Sequence, residues 1–530
     1  MHLQKPLKIG LGMMSAGLFG IMFGWVLFPV ILKSQLKKEM ALSKKTDVRG
    51  MWEKIPFALD FKVYLFNYTN PEEVQKGGIP VVKEVGPYHF DEWKEKVEVE
   101  DHEEDDTITY KKRDYFYFRP DLSGPGLTGE ETIVIPHILM LSMATIVHND
   151  KPAMLNMLGK ALNGIFDEPK DIFLRVKVLD LLFRGMIVNC ARTEFAPKAV
   201  CTALKKEAAN GLTFEPNNQY RFSLFGLRNG TIDPHVVTVR RGIKNVMDVG
   251  KVIAVDGKPN QDVWRDKCNE YQGTDGTVFP PFLTEKDNLE SFSGDLCRSF
   301  KPWYQKKTSY KGIKTNRYIA NIGDFANDPD LQCYCDSPDK CPPKGVMDLM
   351  KCMKAPMYAT LPHFLDCDPQ LLKNVKGLSP DVNEHGIVID FEPISGTPMV
   401  AMQRVQFNMM LLKADKLDLI KELPGTLTPI FWIEEGLSLN KTFVKMLKHQ
   451  LFIPKRIVSV VRWFLVGVGI VGVIGTLVFQ FKGKMMNFAL SPGSATVTKV
   501  NPEMSQQNQH NQPKDISIVG EPQNPPKVDM

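Results

Sequence analysis

The chain has 530 residues, of which 43% are hydrophobic and 24% charged, and its net charge is only +5. That near balance excludes a protein held to nucleic acid by a basic surface, and the length allows a large buried core. Apolarity, by contrast, is concentrated at the two ends.

The run Ile9 to Leu32 is 24 residues without a charge. As a helix it is long enough to cross about 30 Å of hydrocarbon. Lys5 and Lys8 precede it as they would in a signal peptide. The apolar part is too long for that role and no small-x-small cleavage site follows, so a retained anchor is expected. Gly12, Ala16, Gly20 and Gly24 recur every four residues. They could form a face for packing against a second anchor or a partner; the frequency of glycine in membrane helices gives the same composition without any contact.

Residues 33–60 are basic and amphipathic and predict a juxtamembrane helix. Lys94 to Val99 and Thr107 to Phe118 alternate polar and apolar residues, which predicts a β-hairpin. Its tip, Glu100 to Asp106, reads as a solvated acidic turn, because it lacks the glycine and the spacing of a calcium loop. Over 136–185 the spacing of Met154, Leu155, Leu158, Leu162, Ile165 and Phe166, then of Val176, Leu179, Leu182 and Phe183, predicts two or three helices with a basic outer face. Beyond residue 210, short β-like runs return at Val236 to Arg240, Gly386 to Phe391 and Met399 to Phe407, with turn signals at Asn229-Gly230 and Asp256-Gly257. Strands on both sides of a helical insert predict an α+β domain with an antiparallel sheet or barrel.

All nine cysteines lie between the anchors. Cys268, Cys297, Cys333, Cys335, Cys341 and Cys352 form an even cluster in a loop-rich stretch and predict a disulfide framework with fifteen possible connectivities. Their spacing does not give two C-x2-C zinc knuckles. Cys190, Cys201 and Cys367 are expected to be buried thiols. Asn67, Asn229 and Asn440 each open an N-x-T glycosylation acceptor.

The second anchor runs from Trp463 to Phe481, and back to Ile457 if Arg462 snorkels to the interface. Its Gly467-Val468-Gly469-Ile470-Val471-Gly472 fits a dinucleotide fingerprint, but no βαβ unit surrounds it. Residues 482–530 are rich in Pro, Gln, Asn and Ser and predict a disordered tail. Lysines on the inner flanks of both anchors would place the 424-residue loop in the cytoplasm, but the rule does not hold for long loops. No nucleophile elbow, zinc-protease helix or P-loop is present, so no enzyme, metal or cofactor is expected. His363 and His385 are expected to be structural.

Several strings then add up. They are Asn70-Pro71-Glu72-Glu73-Val74, Gly86-Pro87-Tyr88 and Gly273-Thr274-Asp275-Gly276 leading to Phe279-Pro280-Pro281-Phe282, followed by Cys297-Arg298-Ser299, Leu361-Pro362-His363-Phe364 and Glu392-Pro393-Ile394-Ser395-Gly396. In this order, between two anchors, they resemble the class B scavenger receptors, the group of the platelet fatty-acid translocase. The Lys5-Pro6-Leu7-Lys8 start and the cysteine-free tail look most like the insect sensory neuron membrane proteins of type 1.

The resemblance implies a membrane protein with two transmembrane helices, 9–32 and 457–481, and cytoplasmic ends, 1–8 and 482–530. Residues 33–456 would be an extracellular lipid-binding domain with an antiparallel β-barrel core, an apical helical bundle at 136–185 and a disulfide-rich segment at 268–352. It implies the pairings Cys268–Cys333, Cys297–Cys352 and Cys335–Cys341. It also implies an apolar tunnel that receives a lipid-derived odorant such as a pheromone, taken from a soluble carrier and passed to an odorant receptor in the plasma membrane of olfactory dendrites. Lys151 and Lys160 would then sit at the rim where ligand enters, with Leu158 and Leu162 beside the path. Uptake of lipid or lipoprotein by a general scavenger receptor is the alternative.

Overall fold

The structure is a computed structural model that describes residues 5–207, 211–287 and 289–489. The chain divides into two compact units, Ile21–Arg462 and a smaller one made of the chain's two ends. Two helical stretches, Leu7–Glu39 and Lys441–Lys482, are long and apolar enough to cross a membrane, with mean hydropathies of 2.0 and 2.3.

In the smaller unit the end helices meet through glycine. A methyl group on Gly17 would stand 2.8 Å from Gly469 Cα, one on Gly472 would stand 2.5 Å from Met13 Cβ, and one on Gly10 would overlap the Thr476 hydroxyl. The contact face is therefore Gly10–Met13–Gly17. The expected stripe is corrected at its first member, because Gly12 has nothing within 4 Å. A strict four-residue step drifts about 40° per step around a helix of 3.6 residues per turn, so alternating steps of three and four are needed to hold one face. The second helix runs on to Ala489, eight residues past the expected end. The expectation of a disordered tail otherwise falls outside the described residues.

In the larger unit the first helix passes through a π-helical turn at Met22–Leu27 and continues from Phe28 to Glu39. Arg462 does not snorkel. It lies across Gly24, donates to the Gly24 carbonyl at 3.3 Å and stacks on the Trp25 ring at 4.0 Å. The expected juxtamembrane helix is two helices with a turn between them, since Asp47–Glu53 starts anew behind a Thr46 cap. Leu42, in the turn, is fully buried with Ile108, Tyr110 and Val239.

A twelve-stranded sheet is the frame. Its strands are β1 (Leu59–Tyr68), β2 (Val82–His102), β3 (Thr107–Phe118) and a set from the later chain. The spatial order is 252–255, 237–240, β3, β2, β1, 427–438, 397–410, 387–392, 313–320 and 303–310, with each neighbouring pair antiparallel. Met347–Asp348 and Tyr358–Thr360 branch from the 397–410 strand. No pair between the two outermost strands closes this sheet among the described residues. The first and last long strands lie side by side, with Asp60 opposite Gly436 and Val63 opposite Ile433.

The predicted hairpin is β2–β3. Its acidic tip is not solvated throughout, which corrects the expectation. Asp101 is buried against Arg49 and Arg241, each at 3.0 Å, and Asp106 accepts from the Lys244 backbone N–H at 2.8 Å. Alternation shows which strand residues face in, but not which acids will meet a distant arginine.

The 136–185 segment holds two helices, Ile138–Asp150 and Leu155–Ile165. Its second half is corrected: Phe173–Lys177 is a strand paired with Thr132–Pro136, and Asp180–Arg184 is a π-helical turn. Short apolar runs do not distinguish strand from helix, and here Val176 finds Ile133 as a cross-strand neighbour. The third helix is Phe195–Glu207, held by a Cys190–Cys201 disulfide, so these two cysteines are not thiols. The chain turns back after the Met186–Asn189 strand and brings their Cα atoms within 5.6 Å. The structure also joins Cys268 to Cys333, Cys297 to Cys352 and Cys335 to Cys341.

The glycine contact gives a direct test. Gly17→Ile should separate the end helices, and disulfide trapping of cysteines introduced at positions 13 and 472 should fall several-fold. Undiminished trapping would contradict the packing. A second test concerns acid. His137 caps the Ile138–Asp150 helix by accepting the Met140 N–H, and burial pulls its pKa down to about 4. Its unfolded value is about 6.5, so the folded state holds it neutral. The stability this confers is present above pH 6.5 and is lost as pH falls from 6.5 toward 4. Hydrogen exchange over Ile138–Asp150 should accelerate across that window, and His137→Asn should flatten the response. An identical response in the variant would refute the assignment.

Candidate functional site

The strings that carry the resemblance prove to be architectural. The Glu392 carboxylate accepts from the Ile394 and Ser395 N–H groups and so shapes the turn to Gly396. Gly396 has φ +73° and presses on the Pro280 carbonyl, where no side chain fits. Phe282 and Leu283 then donate to the Ile394 and Pro393 carbonyls, so two of the strings clasp each other. Asp275 accepts from Trp52 Nε1 at 3.0 Å and the Tyr110 hydroxyl at 2.9 Å, with Lys96 at 3.7 Å. It thereby ties the juxtamembrane helix to the sheet. Arg298 is buried, with its guanidinium against the rings of Phe300, Phe325 and Tyr334.

Glu84, His363 and His385 approach like a metal site, with one candidate ligand atom each, all within 4.8 Å. The hydrogen bonds say otherwise. His363 Nδ1 accepts from the Ser379 N–H and His385 Nδ1 from the Asp381 N–H. Each neutral ring must then carry its proton on Nε2, the atom a metal would need, whereas a ligating histidine donates from its other nitrogen. The cluster is a clamp. His363 Nε2 bonds Glu84 at 2.6 Å, Trp432 Nε1 donates to the same oxygen at 2.7 Å, and the imidazoles stack at 4.3 Å. Burial, then His363, holds the His385 pKa down to about 4. No nucleophile stands in this hydrogen-bonded set, so the arrangement positions chain rather than reacting.

The inner face of β1, β2 and β3 is the stronger candidate. Phe61, Phe90 and Phe116 share that face and join Phe183, Phe225 and Phe431 in one aromatic body. Ring centroids lie 5.0 Å apart for Phe61–Phe116, 4.7 Å for Phe90–Phe183 and 5.9 Å for Phe225–Phe431. Residues two apart on a strand point the same way. Glu92 and Lys94 on β2, and Asp114 and Lys112 on β3, therefore continue this wall with charge. Lys94 pairs with Glu435 at 2.7 Å and Glu92 at 3.4 Å. Arg228 pairs with Asp114 and Asp295, each at 3.1 Å.

Burial is the main cause that pushes the Glu92 carboxyl up to about 8, so it is protonated at neutral pH. Arg228 is the main cause that holds Asp295 below the ordinary carboxylate range. Asp295, Arg228 and Lys94 are deep within the protein, yet 72%, 47% and 25% of their side chains are within reach of water. Groups that are enclosed but still wetted line an interior space. The wall thus passes from a dry aromatic pole to a wet ionic one. The sequence reading missed it; its only signal was the run Glu92, Lys94, Lys96 alternating within a strand that begins with aromatics.

The residues expected at a ligand mouth are divided. Lys151 and Lys160 are exposed on the helices. Leu158 and Leu162 are buried in the core beside Leu155 and Ile165, so they serve as helix packing. Asn67 is half-buried in β1 with its Oδ1 accepting from the Val134 N–H, whereas Asn229 and Asn440 are exposed. Cys367 is a free thiol that burial pushes up to about 12.

Comparison with known proteins places this geometry. The CD36 family profile matches residues 10–480. Over all 530 residues, and over the whole of each relative, the chain is 86% identical to Sensory neuron membrane protein 1 of Ostrinia nubilalis. It is 74% identical to that of Plutella xylostella and 68% to that of Manduca sexta, again over full length. Two apolar end helices around a mainly antiparallel domain accord with a membrane protein. The chain belongs to the CD36 family.

Proposed function

We propose that this protein is an olfactory receptor or co-receptor that holds a lipid-derived odorant inside its ectodomain and releases it to an odorant receptor in the same membrane. The observation that carries the reading is the enclosed wall that runs from the aromatic body of Phe61, Phe116 and Phe225 to the wetted charges of Arg228 and Asp295. An alkyl chain leaves water at about 0.8 kcal/mol per methylene, so a 14-carbon tail gains on the order of 11 kcal/mol gross. An interior apolar passage removes the cost of carrying such a molecule through water. Likeness to sensory neuron membrane proteins supports the sensory role.

The topology follows the same reading. Four disulfides suit an oxidising compartment, which puts the domain outside the cell and both ends in the cytoplasm. Asn229 and Asn440 are the acceptors best placed for glycans, with Asn67 less open. Lys151 and Lys160 form a basic patch that would steer an acidic carrier protein.

Immunolabelling tests the role. Antibody raised to the domain should mark the dendritic membrane of olfactory neurons on unpermeabilised cells. Loss of the protein should slow or weaken the neuronal response to long-chain odorants. Labelling confined to other tissues, with lipoprotein uptake in transfected cells, would instead establish a general scavenger receptor.

A further inference from the structure

The ionic pole has a composition that selects among lipids. Lys94 and Arg228 are each bound by two acidic groups, and Asp295 lies on the turn between strands Ser291–Ser293 and Arg298–Phe300. With Lys112, which acts electrostatically on Asp295, the wall carries three cations against the three anions Asp114, Asp295 and Glu435. Glu92, the remaining acid, is buried and protonated. The pole is therefore polar, wetted and without net charge. It also abuts the aromatic body, since Arg228 donates its backbone N–H to the Phe225 carbonyl and Asp114 is two residues from Phe116.

Resting on the proposed lipid-binding role, we infer that the Arg228–Asp295 pole is the docking site for the head of an uncharged, oxygen-bearing lipid, an ester, aldehyde or alcohol, whose alkyl chain lies along the aromatic wall. Arg228 has five N–H donors, and two acidic partners do not exhaust them. A carbonyl or hydroxyl oxygen can take a remaining donor in place of water. A carboxylate would add a negative charge beside Asp114, Asp295 and Glu435, where Lys94 and Arg228 are already paired, and is disfavoured.

The test uses full-length protein in lipid nanodiscs, with empty nanodiscs subtracted, and three 14-carbon probes: tetradecyl acetate, tetradecane and myristate. Wild type should bind the acetate about tenfold more tightly than the alkane, the worth of one buried hydrogen bond. The double variant Arg228→Gln, Asp295→Asn removes both charges together and should abolish that preference while alkane binding persists. Acetate preference retained in the variant, or absent from wild type, overturns the assignment. Myristate binding tighter than acetate and lost in Lys112→Met also overturns it. Failure of wild type to bind any of the three would instead sink the lipid-binding role itself.

If the double variant does not fold, wild type carries the test. An acetate analogue with a photoreactive diazirine beside its ester should label the peptides around Phe225–Arg228 and Phe292–Asp295. Labelling confined to other segments overturns the proposal.

Discussion

The register between β1 and the 427–438 strand is the constraint on which the rest of the fold depends. It joins residues separated by most of the chain, Val63 to Ile433 and Asp60 to Gly436. Because β1 follows the first helical segment and 427–438 precedes the last, this one ladder brings the two ends of the domain to neighbouring strands. Contacts of such separation form late, since a long loop must close before they stabilise anything. The disulfides of the 268–352 segment and the buried ion pairs of Asp101 and Asp390 then fix the intervening chain locally.

The same ladder creates the interior wall. Pleating sends Phe61 to one face, and pairing sets it between Phe90 on β2 and Glu435 on the last strand. An aromatic and a carboxylate are thereby neighbours inside the protein. Burying Glu92 and Lys94 costs solvation, which their mutual pairing and that of Glu435 only partly offset. An all-apolar wall would be the simpler packing solution. The persistence of an ionic pole inside an otherwise aromatic interior is what marks it as a binding surface.

Much of this was legible in the residues and some of it was not. The anchors, the β2–β3 hairpin and the later strands follow from apolar length and from alternation. Motif strings such as Gly273-Thr274-Asp275-Gly276 and Glu392-Pro393-Ile394-Ser395-Gly396 located the family, yet their work is to hold turns and clasp loops. Phe173–Lys177 read as helix because five residues carry too little periodicity to choose. Asp101 read as solvated because its partners, Arg49 and Arg241, are 52 and 140 residues distant in sequence. The interior pole escaped for the same reason, as Asp114, Arg228 and Asp295 meet only after folding. Leu158 and Leu162 showed the converse: their helical spacing marked a core face rather than a ligand path.

The most direct measurement is an experimental density map of the full-length protein saturated with a 14-carbon acetate. The account predicts continuous ligand density inside the sheet, its alkyl part against Phe61, Phe116 and Phe225 and its head toward Arg228. A solid interior, with ligand density only on the outer surface of the helices at 138–165, would contradict it.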